Sequence, residues 1–256
     1  MESKKIIIGN LKMNILSRSE RNKYLAWFKK EQAGKKIKNS EIILCPPFIH
    51  LEAFKEWKNK RIKIGAQNMF SEIKGSYTGE ISPLMLKNLG CEYVILGHSE
   101  RRKYLGETSE EINLKVISAL KNGLKPVVCV GETKIEKEAN ATLNVITEQV
   151  KEALADVSKG KIEQVVIAYE PIWAVGTDAT PTSNEIMEAK VLIRKILVEM
   201  FGKKYAEMVK ILYGGSVSAK TVKEVCVDSE VDGALIGRES LLPNEFLKIA
   251  EIIDKN

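Results

Sequence analysis

The sequence predicts an α/β fold: a closed, parallel, eight-stranded (β/α)8 barrel ringed by helices, formed as a single domain over residues 1–256. Three observations predict it. Short runs rich in Ile and Val recur as KIIIGN, EIILCPP, IKIGAQN, YVILGHSE, PVVCVGE, VVIAYEP, KILYGGS and GALIGR. Most are continuously apolar, the mark of strands buried on both faces, as in parallel sheets. Helical patterns lie between most of them. Such alternation gives either an open doubly wound sheet or a closed barrel, and about eight units in 256 residues favour the barrel.

The helices are read from periodicity and caps. From Leu143, apolar residues recur at Ile146, Val150, Leu154 and Val157, and Gly160 is the expected stop. Ser17 with Glu20, Thr108 with Glu111, and Thr182 with Glu185 have capping-box spacing at helix starts. Gly123 is expected to close the helix begun near Ser109. The lysine-rich segment from Lys29 to Lys38 reads as the solvated end of an amphipathic helix.

Composition narrows the function. The hydrophobic fraction of 44% and charged fraction of 29% are those of an ordinary globular protein. A net charge of +6, with no basic face interleaved with aromatics, argues against nucleic acid and suits a small anionic substrate. The apolar run in MESKKIIIGN is too short for a signal peptide, and no segment approaches the roughly 18 apolar residues of a membrane span. A cytoplasmic protein with no membrane partner is expected. Cys45, Cys91, Cys129 and Cys226 lie far apart with no CxxC pair and read as buried free thiols. With no metal-ligand cluster, dinucleotide GxGxxG or paired-carboxylate glycosidase signature, neither metal nor cofactor is expected.

In both parallel architectures function collects at the carboxyl ends of the strands. The first run ends in Gly9-Asn10-Leu11-Lys12, where Lys12 is either a fixed positive charge for an anion or a surface lysine. The fourth ends in Gly97-His98-Ser99-Glu100-Arg101. His98 is one of only two histidines; the other, His50, follows Pro46-Pro47-Phe48 in a loop and reads as incidental. The sixth ends in Glu170, poorly solvated there and so either an ion-pair partner or a base. Pro171, then apolar Ile172 to Val175, then Gly176, suit a segment that folds over a ligand and expels water. The seventh and eighth end in Gly214-Gly215-Ser216 and Gly237-Arg238-Glu239-Ser240, rims whose backbone N–H groups can converge on a phosphate. Together these residues point to proton transfer next to a polarised carbonyl in a phosphate-binding barrel.

Across essentially the whole chain the sequence resembles the triosephosphate isomerase family, and so a TIM barrel. The resemblance is carried by Gly9-Asn10-Leu11-Lys12-Met13-Asn14, Gly65-Ala66-Gln67-Asn68, Gly75-Ser76-Tyr77-Thr78-Gly79-Glu80, Gly97-His98-Ser99-Glu100-Arg101, Ala168-Tyr169-Glu170-Pro171, Tyr213-Gly214-Gly215-Ser216 and Asp232-Gly233-Ala234-Leu235-Ile236-Gly237. It implies interconversion of dihydroxyacetone phosphate and D-glyceraldehyde 3-phosphate in glycolysis and gluconeogenesis. It implies Glu170 as the base, an uncharged His98 as the electrophile, Lys12 assisting by charge and Asn10 by a hydrogen bond. Backbone N–H groups of Gly176, Ser216, Gly237 and Arg238 would hold the phosphate. Ser99 and Glu100 would support the site, Glu100 either orienting Lys12, moving protons or forming a structural ion pair, and Arg101 would be structural. The resemblance further implies a homodimer in which the GSYTGE segment brings Thr78 near the partner's site. Another phosphosugar barrel enzyme, such as an aldolase, or a non-catalytic phosphosugar sensor are the rival readings.

Three departures stand out. Leu11 replaces the family's usual tryptophan, which is expected to alter packing under Lys12 more than chemistry. Arg238 replaces a common second glycine, its N–H retained and its side chain expected to point outward. Asp178-Ala179-Thr180-Pro181 follows Gly176-Thr177, and Pro181 restricts Thr180 before it, so altered loop-closure kinetics are expected.

Overall fold

The computed structural model describes residues 4–57, 62–176 and 180–256. Eight strands close into a parallel barrel in sequence order: β1 (Lys5–Asn10), β2 (Ser40–Cys45), β3 (Ile62–Ala66), β4 (Tyr93–Leu96), β5 (Lys125–Val130), β6 (Val166–Tyr169), β7 (Lys210–Tyr213) and β8 (Gly233–Ile236). β1 pairs with β2 from Lys5↔Ser40 to Asn10↔Cys45, and the ring closes where β1 meets β8 from Ile6↔Gly233 to Gly9↔Ile236. All eight apolar runs therefore became strands.

Their continuous apolarity has two destinations. Ile6 and Ile8, Ile43 and Cys45, Tyr93 and Ile95, Val127 and Cys129, Val166 and Ala168, with Leu212 and Leu235, pack together as one cluster filling the barrel. The intervening residues, such as Ile7, Ile42, Leu44, Val94, Val128 and Ile167, join a larger cluster with the helices. Period-two alternation thus sends successive side chains into two different cores. β3 is the exception. Its inward positions are Lys63, which pairs with Glu41 at 3.0 Å and Glu92 at 2.8 Å, and Gly65, where a Cβ would lie 2.6 Å from Cys45 Sγ.

The outer layer holds α1 (Arg18–Ala33), α2 (Leu51–Trp57), α3 (Pro83–Asn88), α4 (Ser99–Leu105), α5 (Ser109–Lys121), α6 (Lys134–Glu138), α7 (Thr142–Ala153), α8 (Ser183–Phe201), α9 (Lys203–Ala206) and α10 (Pro243–Asp254). Between β7 and β8 the connection is a π-helical turn, Lys223–Asp228, rather than an α-helix. Thr108/Glu111 and Thr182/Glu185 form full capping boxes. Ser17 accepts the Glu20 N–H, but Glu20 turns its carboxylate to the Leu16 N–H at 2.8 Å, so that box is only half formed. Gly123, at φ 73°, follows the end of α5 as expected. Gly160 does not stop α7. That helix ends at Ala153, and Gly160 lies in a separate 3₁₀ turn, Lys159–Gln164. The apolar series continues to Val157 because the chain stays packed on the barrel after the helix ends.

Leu11 is fully buried in the outer core. The four cysteines are free and buried. His50 is buried in a 3₁₀ turn, Phe48–His50, rather than an open loop, with Nε2 3.1 Å from the Ile15 carbonyl oxygen. Among the described residues, no helix is long and apolar enough to cross a membrane.

Candidate active site

The alternation that fills the barrel also aims the strand ends. On β1, Ile6 and Ile8 face inward and Asn10 continues the series; on β6, Val166 and Ala168 lead to Glu170. Each polar residue ends an inward apolar row at the barrel mouth. On β4 the inward series is Tyr93 and Ile95, so His98 is out of phase. Gly97, at φ 69°, turns the chain in the left-handed region and brings the next residue round to the mouth. Close approach of β5 and β6 depends on Gly131, where a Cβ would stand 2.0 Å from the Glu170 carbonyl oxygen.

Asn10, Lys12, His98, Glu170, Gly176, Ser216, Gly237 and Arg238 all line one cavity of about 410 Å³. Glu170 is 2% exposed and His98 5%. His98 Nε2 lies 3.0 Å from Glu170 Oε1. The other Glu170 oxygen accepts the Ser99 N–H at 3.0 Å. His98 Nδ1 accepts the Glu100 N–H at 3.2 Å, which leaves Nε2–H as the donor toward Glu170. Burial pushes the Glu170 carboxyl up. The adjoining His98 imidazole, by charge and by hydrogen bond, then the Ser99 N–H and the Lys12 charge together outweigh that, and the carboxyl sits below its ordinary value of 4.5.

Lys12 adopts φ 50°, a left-handed conformation that costs a residue with a Cβ about 1–3 kcal/mol. Asn10 Oδ1 accepts the Lys12 N–H at 3.1 Å, and Gln67 Nε2 donates to both the Lys12 and Cys45 carbonyls at 2.9 Å. These bonds hold the bend that carries the ammonium to the cavity. There it pairs with Glu100 Oε1 at 2.6 Å. Arg101 turns away to Glu107 at 3.2 Å.

Across the cavity stand the two glycine rims. The Ser216 N–H donates to the Ala174 carbonyl at 3.2 Å, and the Ser216 hydroxyl donates to the same oxygen at 2.8 Å. The rim of β7 is thus tied to the segment that follows Glu170. Arg238 does not simply point outward. Its guanidinium crosses the cavity mouth and Nη2 donates to the Gly176 carbonyl at 3.2 Å, because the loops after β6 and β8 converge there. Thr78 is exposed on the segment after β3 and does not line the cavity. Of Asp178-Ala179-Thr180-Pro181, the first two lie outside the described residues; Thr180 lines the cavity.

Sequence reasoning missed Glu132. It is 1% exposed, and it accepts Trp173 Nε1–H at 2.8 Å and the Tyr169 hydroxyl at 3.2 Å. Trp173, expected to be exposed unless it covers a ligand, is half-buried on this carboxylate with Lys137 Nζ 3.5 Å from its ring centroid. The available signal was a glutamate at the end of the fifth run, in Val130-Gly131-Glu132. The Tyr213 hydroxyl was also overlooked; it is buried without a hydrogen-bond partner among the described residues.

A (β/α)8 barrel with acidic, basic and imidazole groups at the carboxyl ends of its strands is the architecture of a barrel enzyme. Comparison with known proteins makes this specific: residues 5–253 match the family model described as triosephosphate isomerase. The chain is 47% identical over 247 residues to the triosephosphate isomerase of Thermoanaerobacter pseudethanolicus, covering 95% of this chain and 97% of the relative. It is 47% identical over 247 residues to that of Dictyoglomus turgidum, covering 96% and 98%. With that of Clostridium tetani it shares 46% identity over 250 residues, covering 96% and 95%. The chain belongs to the triosephosphate isomerase family.

Proposed function

We propose that this protein interconverts dihydroxyacetone phosphate and D-glyceraldehyde 3-phosphate by proton transfer through an enediolate, as a step of glycolysis and gluconeogenesis. The observation that carries the reading is the buried Glu170 carboxylate, 3.0 Å from His98 Nε2, in a cavity whose other wall is formed by the rims after β7 and β8.

Glu170 is the base. Both of its oxygens accept hydrogen bonds, from His98 and from Ser99. A substrate carbonyl oxygen arriving at His98 Nε2–H takes over that donor and releases Oε1 to accept a proton from C1. The electron pair left on carbon moves into an enediolate, whose oxygen charge is met by His98 and Lys12. The C1 hydroxyl proton passes to the C2 oxygen, with His98 as the neighbouring donor and acceptor, and the carbon-bound proton returns from Glu170 to C2, which completes the isomerisation with no net gain or loss of atoms or electrons. A positioned base contributes about 10²–10⁴ in rate, and a preorganised electrostatic donor about 10²–10³. Asn10 and Gln67 act on Lys12 by holding its backbone; Glu100 holds its ammonium. Backbone N–H groups of Gly176, Ser216, Gly237 and Arg238 receive the phosphate, which requires Ser216 to give up Ala174.

The test is incubation with dihydroxyacetone phosphate in D₂O. Deuterium should enter C1, and exchange should largely vanish in Glu170→Gln and Glu170→Asp. Exchange at undiminished rate in those variants would remove Glu170 from the role.

The reading extends to a cytoplasmic homodimer. Large apolar side chains stand exposed on the segments after β1, β2 and β4: Met13 at 86%, Leu16 at 74%, Ile49 at 78% and Tyr104 at 70%. The segment carrying Thr78 follows β3 and so belongs to the same side, with the Tyr77 ring packed at a tilt on Phe70 at 4.6 Å between ring centroids. An apolar surface of this kind suits burial against a second copy. Light scattering after gel filtration should give twice the chain mass, and Thr78→Arg should shift it toward the monomer with loss of turnover.

A further inference from the structure

Arg238 is the residue the barrel chemistry leaves unexplained. The backbone N–H alone would serve a phosphate, yet the side chain also lies at the cavity. Among the described residues, four charged ones line that cavity: Lys12, Glu170, Arg238 and Glu239. Lys12 is already paired with Glu100 at 2.6 Å. Among the described residues no carboxylate lies within ion-pair distance of Arg238; its guanidinium donates instead to the neutral Gly176 carbonyl at 3.2 Å. Lys12 also borders the backbone that carries Arg238. Lys12 packs so closely on Gly237, the residue before Arg238, that a Cβ there would be 3.3 Å from Lys12 Cε and 3.7 Å from Nζ.

We propose that the Arg238 guanidinium is a side-chain ligand of the substrate's phosphate, exchanging the Gly176 carbonyl for a phosphate oxygen when the anion arrives. The inference rests on the isomerase reading for its substrate and deepens it by adding a charged donor to the backbone cradle. Three features support the exchange. A guanidinium bonded to a neutral carbonyl in an exposed setting is weakly committed, and a charge-assisted bond to a phosphate oxygen is roughly twice as strong. Guanidinium geometry matches phosphate in two parallel bonds, which a carbonyl cannot offer. An anion on the Gly237–Arg238 backbone sits within reach of both Lys12 and the guanidinium. The class of ligand selected is a phosphate monoester dianion over an unphosphorylated triose.

Arg238→Gln keeps the length and loses the charge; Arg238→Lys keeps the charge and loses the fork. KM for dihydroxyacetone phosphate and the competitive inhibition constant for inorganic phosphate should both rise about tenfold in Arg238→Gln, the scale of one charge-assisted hydrogen bond. The rise in KM should exceed the fall in kcat, and Arg238→Lys should recover part of both constants. Raised ionic strength should narrow the gap between parent and Arg238→Gln. An inhibition constant for phosphate within twofold of the parent would overturn the proposal. So would a fall in kcat with both constants unchanged, which would place Arg238 on Gly176 alone. Should the parent show no turnover, the isomerase reading fails by itself, and calorimetric titration of parent and Arg238→Gln with inorganic phosphate still decides the role of the guanidinium.

Discussion

His98 and Glu170 meet at 3.0 Å, Nε2 to Oε1, while the far side of the imidazole accepts the Glu100 N–H at 3.2 Å. His98 is the donor and Glu170 the acceptor, and the backbone turn at Gly97 brings His98 round to the mouth. These contacts favour the charged form of the Glu170 carboxyl.

That preference has a sign for stability. The Glu170 carboxyl lies below 4.5 in the folded protein, so the unfolded chain binds more protons in the acid range. Its contribution to stability is fully present above the unfolded value and is lost as pH falls through the folded one. Urea unfolding between pH 7 and pH 3 should show the parent losing stability toward acid more steeply than Glu170→Gln. Parallel curves would contradict the assignment.

Lys12→Met removes the ammonium and leaves the backbone bonds of Asn10 and Gln67 in place. kcat/KM should fall by about 10²–10³ or more. Glu100 loses its partner but is 43% exposed, so water compensates and stability should change by less than about 1 kcal/mol. A comparable fall in stability and activity would mean that the residue matters for folding rather than for charge.

Glu132→Ala should act through one buried and one half-buried donor. It strips the acceptor from Trp173 Nε1–H and from the Tyr169 hydroxyl, at about 1–3 kcal/mol for each group left unsatisfied. Trp173 emission should change, the melting temperature should fall, and Glu132→Gln, which keeps a carbonyl acceptor, should be milder. Identical emission in both variants and parent would show that the indole does not depend on this carboxylate.

The thiols should be silent until the barrel opens. Burial pushes Cys45 and Cys129 well above the ordinary value of 9.0, and Cys226 up to about 12. Cys91 is 1% exposed. An aromatic disulfide reagent at pH 8 should titrate none of the four in the native protein and all four in denaturant. Rapid reaction of a native thiol would reveal local opening around its strand.

Much of this architecture was legible because strand burial on both faces leaves unbroken apolar runs, and the inward period of two can be counted forward to Asn10 and Glu170. His98 could be noticed by its strand-end position, but its orientation depends on the dihedral angle of Gly97, which composition does not reveal. Glu132 was passed over because a buried acceptor for a tryptophan looks, in sequence, like any acid after a glycine. Gly160 misled because a glycine is a frequent helix stop, whereas here the chain had left the helix at Ala153 and used the glycine in a 3₁₀ turn. Arg238 was assigned an outward side chain because sequence cannot show the loops after β6 and β8 converging.

The pairing of Ile6 with Gly233 carries a consequence for synthesis. A ribosome releases β1 long before β8, so the emerging sheet has two raw edges for most of translation and no bowl in which to do chemistry. The Asp254 carboxylate later clasps the amides of Lys38 and Asn39 at 2.9 and 2.7 Å, fastening late residues onto early ones. Messages cut short before β8 should yield insoluble fragments rather than weakened catalysts.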